Sequence, residues 1–425
     1  MLDIHFIRAN VDRVKAAIAT KAIDLDLDRL LAVDDERRAL ITQRDSILAE
    51  RNQLTPDEAK QRGPALKDAL ASIEPDLADL AVQFDELMLE VPQVPDPTAP
   101  VGGESAAVEV KRVGTPRPQS ETPLDHLTLG HRLDLINTEQ GAQVAGFRGY
   151  YLRNEAVLLQ FGLLQLALEL MRQRGFTLMA TPTILREFAL VGSGHFPAGR
   201  GEIYQLDSAA RMMKADSTKE LQFLAGTAEP ALLAYYAQQT VDRANFPLKV
   251  CGISPCYRSE AGSYGKDTKG LYRVHEFWKV EQVVIGPADD AWQTAMGAEM
   301  LEIAESLLGE LDLPYRVLDI ATGDMGPGKV RMYDLETWMP SLRRYGETHS
   351  CSLLGDWQAR RLGIKYTTAD GVKKFAYTLN NTVIASPRIL IALLENHQQA
   401  DGSISIPVPL QRFVGTDRIL PKGAV

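Results

Sequence analysis

The chain has 425 residues, 45% of them hydrophobic and 24% charged, with a formal net charge of −10. That balance belongs to a soluble globular protein with material for two or three domains. It excludes a nonspecific nucleic-acid coat, which needs a basic excess, but leaves open RNA read by a local patch. The N-terminus MLDIHFIRANVDRV has no apolar signal core. The apolar helix predicted near 156–171 is interrupted by Gln160 and Gln165 and is too short to span a membrane. Residues 28–91 read as a helical hairpin. In its second half Leu66, Ile73, Leu80 and Leu87 recur every seven residues, as do Leu70, Leu77, Phe84 and Val91. In the first half Val33, Leu40, Ile47 and Leu54 keep the same period beside Leu30, Arg37, Arg44 and Arg51, whose arginine stems can cover the partner helix. Thr55-Pro56-Asp57 and Gly63-Pro64 are expected to break the helix between the halves, and Pro75 to kink the second. Two helices of roughly 26 residues extend roughly 40 Å and form an antiparallel arm.

Prolines crowd 92–123, which reads as a linker ordered in part by a short strand over Val108–Val113. Beyond it strands and helices mix. Val157, Phe161, Leu164, Leu168 and Met171 mark one buried helix face, and Met296, Met300, Ile303 and Leu307 another. The three cysteines, Cys251, Cys256 and Cys351, are too few for a disulfide framework and lack the paired spacing of a zinc site. A reducing cytoplasm is expected, and zinc is not. The seven histidines form no HxxxH or HExxH pair.

Chemistry concentrates in 258–281, RSEAGSYGKDTKGLYRVHEFWKVE. Arg258, Lys266, Lys269, Arg273 and Lys279 stand among Glu260, Asp267, Glu276 and Glu281, with Tyr264, Tyr272, Phe277 and Trp278 between them. Alternation from Val274 to Lys279 predicts a strand, and 248–253 predicts its partner, joined by a long charged loop. So many cations beside carboxylates suit a nucleoside triphosphate with magnesium: arginines grip phosphate, carboxylates hold metal and an aromatic face stacks on a base. Gly323 to Lys329 satisfies GxxxxGK, but Val330 stands where a phosphate-binding loop needs Ser or Thr, and Pro327 removes an N–H; a structural turn is expected instead.

Four further features could converge with that loop. Thr227 and Glu229 offer a hydroxyl and a carboxylate for an ammonium, or simply cap a helix. Glu347-Thr348-His349-Ser350 is an oxygen-rich candidate metal site, or, without context, a solvated loop. Thr378 to Thr382 is polar ahead of the apolar Val383-Ile384-Ala385. Ser386-Pro387-Arg388 then opens a helix, where a cation in the first turn calls for an anionic partner.

In order and wording these segments resemble the seryl-tRNA synthetases, class II aminoacyl-tRNA synthetases of bacterial type. The likeness runs from the MLD start and coiled-coil arm to LLENHQQADGS, with RSEAGSYGKDTKG and RVHEF matching motif 2. It implies an α+β fold: a six-stranded or larger antiparallel sheet flanked by helices, with an N-terminal antiparallel coiled-coil arm. The domains would be 1–100 for tRNA binding, 101–125 as linker and 126–425 for catalysis. A homodimer would form through motif 1, here the helix ending at Gly175 and the strand 176–182.

By the same resemblance, Arg258 would bridge the ATP α-phosphate and the serine carboxylate, and Arg388 would neutralise the γ-phosphate; both are the catalytic pair. Glu260 would hold the adenine or its neighbourhood, Phe277 would stack on it, and Val274 would lie beside it by its backbone. Ser259, Thr348 and His349 complete the ATP set, and Glu347 and Ser350 would coordinate Mg2+. Thr227, Ala228 and Glu229 would line the serine amino group, with Glu281 and Thr382 at its side chain. The partners implied are ATP, L-serine and tRNA(Ser), a set that could include tRNA(Sec), with neither DNA nor membrane. Motif 3 departs from the class pattern, since 381–387 lacks the glycines usual ahead of the arginine. The arm departs more, with eight Lys or Arg against fifteen Asp or Glu over 28–91. Arg44, Arg51, Lys60 and Arg62, near its tip, are the candidates for tRNA phosphates. The alternatives are a paralogue passing serine from its adenylate to a non-tRNA acceptor, and a non-catalytic protein on the same scaffold.

Overall fold

Asp26 starts the first long helix, its side chain accepting from the Asp28 and Arg29 amides at 3.0 and 3.1 Å. The structure, a computed structural model, describes residues 1–116, 123–207, 221–261 and 270–421; Tyr264, Lys266, Asp267 and Lys269 of the charged loop lie outside the described residues. Helix α1, Leu27–Gln53, is followed at once by α2, Pro56–Glu90, whose start is fixed by Pro56 in the first turn and a Thr55–Glu58 capping box. The break expected at Gly63-Pro64 is absent, because the helix is nucleated before it. There proline forgoes one N–H bond, at a turn where Gln61, Arg62 and Pro64 are exposed. Pro75 also lies inside α2, beside the buried Leu70 and Ile73. Arg37, from the arginine series, sits 4.2 Å from the Phe84 ring and donates to Asp34, which also pairs with Arg8. Burial alone would raise the Asp34 pKa, but the two arginines outweigh it and hold the carboxyl below its usual range. Ile7, Val14, Leu27, Leu30, Met88 and Val91 close the core of this unit, Met1–Val94.

The second unit, Pro95–Val425, is built on an eight-stranded sheet. Its strands, numbered in chain order, are β1 Val108–Val113, β2 Thr177–Ala180, β3 Leu248–Tyr257, β4 Glu276–Gly286, β5 Tyr315–Asp319, β6 Arg331–Met339, β7 Arg344–Leu353 and β8 Tyr377–Ala385. They lie in the order β1-β5-β6-β7-β8-β4-β3-β2, antiparallel except for the edge pair β2 and β3. The β3–β4 pair is the predicted one and runs from Leu248 opposite Ile285 to Tyr257 opposite Glu276. The strand expected in the proline-rich stretch is β1, and Gly323 to Lys329 makes turns between β5 and β6.

Helices α3, Glu155–Gln173, α4, Glu229–Ala234, α5, Asp290–Glu310, and α6, Ser386–Asn396, pack this unit. Met300, Ile303 and Leu307 of α5 are fully buried. Gly297 lets that helix approach the sheet, since a Cβ there would stand 2.8 Å from Leu353. The Gln282 and Asn381 amides, from β4 and β8, donate to the Met300 carbonyl at 3.0 and 2.8 Å. On α3 the predicted face holds at Leu164 and Met171, but Phe161 is 49% exposed. It faces outward and meets the Trp278 ring edge-on, with centroids 5.9 Å apart. Met300→Ala removes a fully buried side chain from the seam between helix and sheet. It should lower stability by about 2–5 kcal/mol, read from the chemical-denaturation midpoint.

Candidate active site

Where β3 ends, Arg258 leaves the sheet with its N–H donating to the His275 carbonyl at 3.0 Å and its Nε to the Gly226 carbonyl at 3.3 Å. Its guanidinium lies 5.4 Å from the Phe277 ring centroid. Glu260 turns back with a φ of +55°, a strained conformation for a side-chain-bearing residue. Its carboxylate meets Arg273 at 3.2 Å and Arg148 at 3.8 Å. Opposite stands Arg388 in the first turn of α6. It donates through Nη1 to the Glu347 carbonyl and carboxylate at 2.8 and 3.1 Å, and through Nε to the Tyr272 carbonyl at 3.2 Å. The anionic partner that a cation at a helix start demands is therefore Glu347. Desolvation would raise the Glu347 pKa, but Arg388 outweighs it and holds the carboxyl below its usual range. These groups line a cleft of about 530 Å³ over β4, β7 and β8, together with Val274, Thr348, His349, Ser350 and Thr382.

A second cleft, of about 830 Å³, adjoins it and is lined by Thr227, Glu229, Glu281, Asn380, His195 and Lys329, among others. Glu229 opens α4, and its amide donates to the Thr227 hydroxyl at 3.4 Å. Its carboxylate accepts from Gln358 and Asn380, yet burial dominates and raises its pKa. Burial likewise raises Glu281, with Lys279 beside it pulling the other way. A bulge in the β4–β8 pairing sets Thr382 opposite Glu281, with a 3.5 Å contact between hydroxyl and carboxylate. Arg258, Lys279, Glu347, Ser350 and Thr382 line both clefts.

Glu347 and Ser350 lie on β7, on either side of a second bulge at Thr348, and Ser350 pairs in register with Asp334 on β6. One Asp334 oxygen is buried without a hydrogen-bond partner. Burial first, then the nearby Glu347 charge, drives the Asp334 pKa well above the usual carboxyl range. An orphaned carboxyl oxygen beside a carboxylate and a hydroxyl is the donor set of a hard cation. Among the described residues no group of three His, Cys, Asp or Glu side chains could hold a metal alone.

Several candidates carry structural contacts of their own, and one of them, Ser259, lies outside both clefts. The Ala228 side chain is fully buried and faces Gly252, so it belongs to the core. Ser259 lines neither cleft; its hydroxyl donates to the Gly201 carbonyl at 2.7 Å. His349 ties β7 to β8, with Nε2 donating to the Val383 carbonyl at 3.1 Å, and burial lowers its pKa to about 4. The Glu347–Ser350 segment is a strand, not the solvated loop that it suggests in isolation. Sequence reading did not single out His195 or Gln358, held Asn380 only within the polar run 378–382, and placed Lys329 only in a structural turn. Of the arm residues, Arg44 pairs with Asp45, Arg62 with Glu50 and Lys60 with Asp57, while Arg51 is exposed. None belongs to the clefts.

Two family models match: the seryl-tRNA synthetase N-terminal domain over 1–95 and the tRNA synthetase class II core domain (G, H, P, S and T) over 211–397. A serine–tRNA ligase from Deinococcus radiodurans is 43% identical, with 99% of each chain covered. One from Treponema denticola is 39% identical, covering 99% of this chain and 100% of its own. The crystal structure of seryl-tRNA synthetase from Pyrococcus horikoshii complexed with ATP superposes with a TM-score of 0.88 at 32% identity, over 99% of this chain and 100% of that one. The chain belongs to the seryl-tRNA synthetase family. It is a class II aminoacyl-tRNA synthetase, a serine–tRNA ligase. The non-tRNA acceptor weighed above finds no support in these relatives.

His195 gives the family's second cleft a measurable signature. Desolvation, then the charges of Arg258, Lys279 and Lys329, lower its pKa to about 3. The unfolded chain therefore takes up a proton below its ordinary value of 6.5 that the fold refuses until about pH 3. Stability should fall as pH drops through that window. His195→Asn should flatten the decline in urea midpoint between about pH 6.5 and 5.

Proposed function

We propose that the first cleft takes ATP and the second takes serine, with Arg258 reaching both. The observation that carries this reading is that Arg258 lines both clefts. Phe277 offers a face to adenine and Arg388 a cation to the γ-phosphate. Glu260, placed between two arginines, orients the loop at the adenine end, with the Val274 backbone alongside. Thr227 and Glu229 receive the serine ammonium, and Glu281 and Thr382 its hydroxyl. A serine carboxylate already ionised needs no general base: it attacks the α-phosphorus in line, the α–β bridging bond breaks, and pyrophosphate leaves. Arg258 and Arg388 offset the charge that spreads over the phosphates. Glu347 and Ser350 are the residues to hold Mg2+, which when bound supplies further charge neutralisation at the phosphates. The ribose hydroxyl at the tRNA 3′ end then attacks the seryl carbonyl and releases AMP.

Selection of serine rests on its hydroxyl. Without it, as in alanine, the buried Glu281 and Thr382 oxygens lose a partner, at a cost of about 1–3 kcal/mol. The N-terminal unit is assigned to tRNA(Ser), through a few cations toward its tip, with Arg51 exposed there. Homodimer formation through motif 1 is supported by Leu158 and Phe161 on α3 and Leu178 on β2, which are 45%, 49% and 39% exposed. A cytoplasmic site of action fits the three free, buried cysteines.

Serine-dependent ATP–pyrophosphate exchange tests the assignment. Arg258→Ala should reduce exchange by at least about 100-fold, the scale of losing a transition-state charge contact. Arg51→Ala should leave exchange unchanged and weaken charging of tRNA(Ser). Equal loss of both activities in the arm variant would refute the division between the two units. Chelating Mg2+ should stop exchange, and restoring the ion should recover it.

A further inference from the structure

A buried hydrogen-bonded circuit outside the clefts closes on the nucleotide side of the site. His126, which begins the short helix His126–Arg132, is 6% exposed, and the Glu395 side chain on α6 is fully buried. Glu395 accepts from the His126 amide at 3.0 Å, from His126 Nδ1 at 2.9 Å and from the Ser341 amide at 2.9 Å. On the other edge of the same imidazole, Nε2 accepts the Leu271 N–H at 3.2 Å. These two bonds fix the tautomer: Nδ1 carries the proton and Nε2 the lone pair. Gly270 lies flat against the ring with a φ of +69°, and a Cβ there would stand 2.1 Å from Nε2.

Leu271 is followed by Tyr272, whose carbonyl accepts from Arg388 Nε and whose ring centroid lies 4.5 Å from the Arg388 guanidinium. Arg388 and Glu395 share α6, seven residues and so about 10 Å apart. The contacts therefore run in a closed ring, from Glu395 to His126, Leu271, Tyr272 and Arg388, then back along the helix. One rigid element grips the segment re-entering β4 at two points.

We propose that His126, oriented by Glu395, is a positioning residue for ATP: it fixes Leu271 so that Tyr272 and Arg388 are held where the triphosphate binds. It touches no reacting atom. The second cleft shares Glu347 and Arg258 with the first but contains neither Tyr272 nor Arg388, so the effect should fall mainly on one substrate. The inference rests on the reading that the first cleft takes ATP.

The test is serine-dependent pyrophosphate exchange with three variants. His126→Asn keeps a donor near the Nδ1 position for Glu395 but removes the acceptor for the Leu271 N–H. His126→Gln places an amide oxygen near the Nε2 position and restores that acceptor. His126→Asn should raise the ATP KM about tenfold, the scale of one unsatisfied buried N–H, and move the serine KM by less than about twofold. His126→Gln should bring the ATP KM back to within about threefold of the parent. An ATP KM within about twofold of the parent in His126→Asn overturns the proposal, as does a joint rise in both KM values or a glutamine variant no better than the asparagine one. Arg388→Ala is the control on the underlying reading. If it leaves the ATP KM unmoved, the first cleft is not the ATP site and the proposal falls with it. If it raises the ATP KM while His126→Asn does not, the anchor alone is wrong.

Discussion

Charge balance on the floor of one sheet is the constraint on which the site depends. Arg258, Lys279, Lys329 and Arg388 converge there with Glu229, Glu281, Asp334 and Glu347. Neither set is stable in a desolvated cleft without the other, since a buried charge costs several kcal/mol unless it is paired and hydrogen-bonded. The pairing is uneven. Glu347 lies against Arg388 and stays ionised, whereas Glu229, Glu281 and Asp334 are pushed toward the neutral form by burial. A triphosphate, an ammonium and a hard cation would each supply what one of these groups lacks. On the proposed reading the substrates would complete an electrostatic arrangement that the protein carries only in part.

Antiparallel pairing alone would not aim these side chains. Strands alternate strictly, so neighbours on one strand face opposite sides of the sheet. Two bulges break the alternation, one between Val280 and Glu281 against β8 and one between Leu335 and Glu336 against β7. Each gives one strand an extra residue at the site and leaves the rest of its ladder regular. The long ladders on either side hold the re-aimed residues rigid, which matters for a reaction driven by alignment.

Local patterns were legible where chemistry and periodicity coincided. The heptads gave the two arm helices, the alternation after Val274 gave β4, and Ser386-Pro387 marked the start of α6. Boundary errors came from treating proline as a stop: Pro64 lies within α2 because the Thr55–Glu58 capping box upstream had already committed the helix. Phe161 fits the buried periodicity and is exposed, because a 3.6-residue repeat reports an apolar stripe without saying what covers it. Residue roles came from the resemblance and not from spacing. Glu347, His195 and Lys329 meet Arg258 through strand order, from segments more than 50 residues away along the chain, and no local window contains that information.

Strand order also sets a schedule for making the protein. β8 is the last of the eight strands to be synthesised, yet it lies inside the sheet between β7 and β4, and α6 with Arg388 follows it immediately. A nascent chain emerges N-terminus first, so the arm, with its own core, can fold while most of the sheet is still unmade. The catalytic unit cannot. Until residue 385 or so has left the ribosome, β4 and β7 expose edges that only β8 can fill, and such edges invite pairing with other chains. A chain truncated before β8 would lack both its central strand and Arg388, so such premature termination is expected to leave an aggregation hazard and not a weak enzyme.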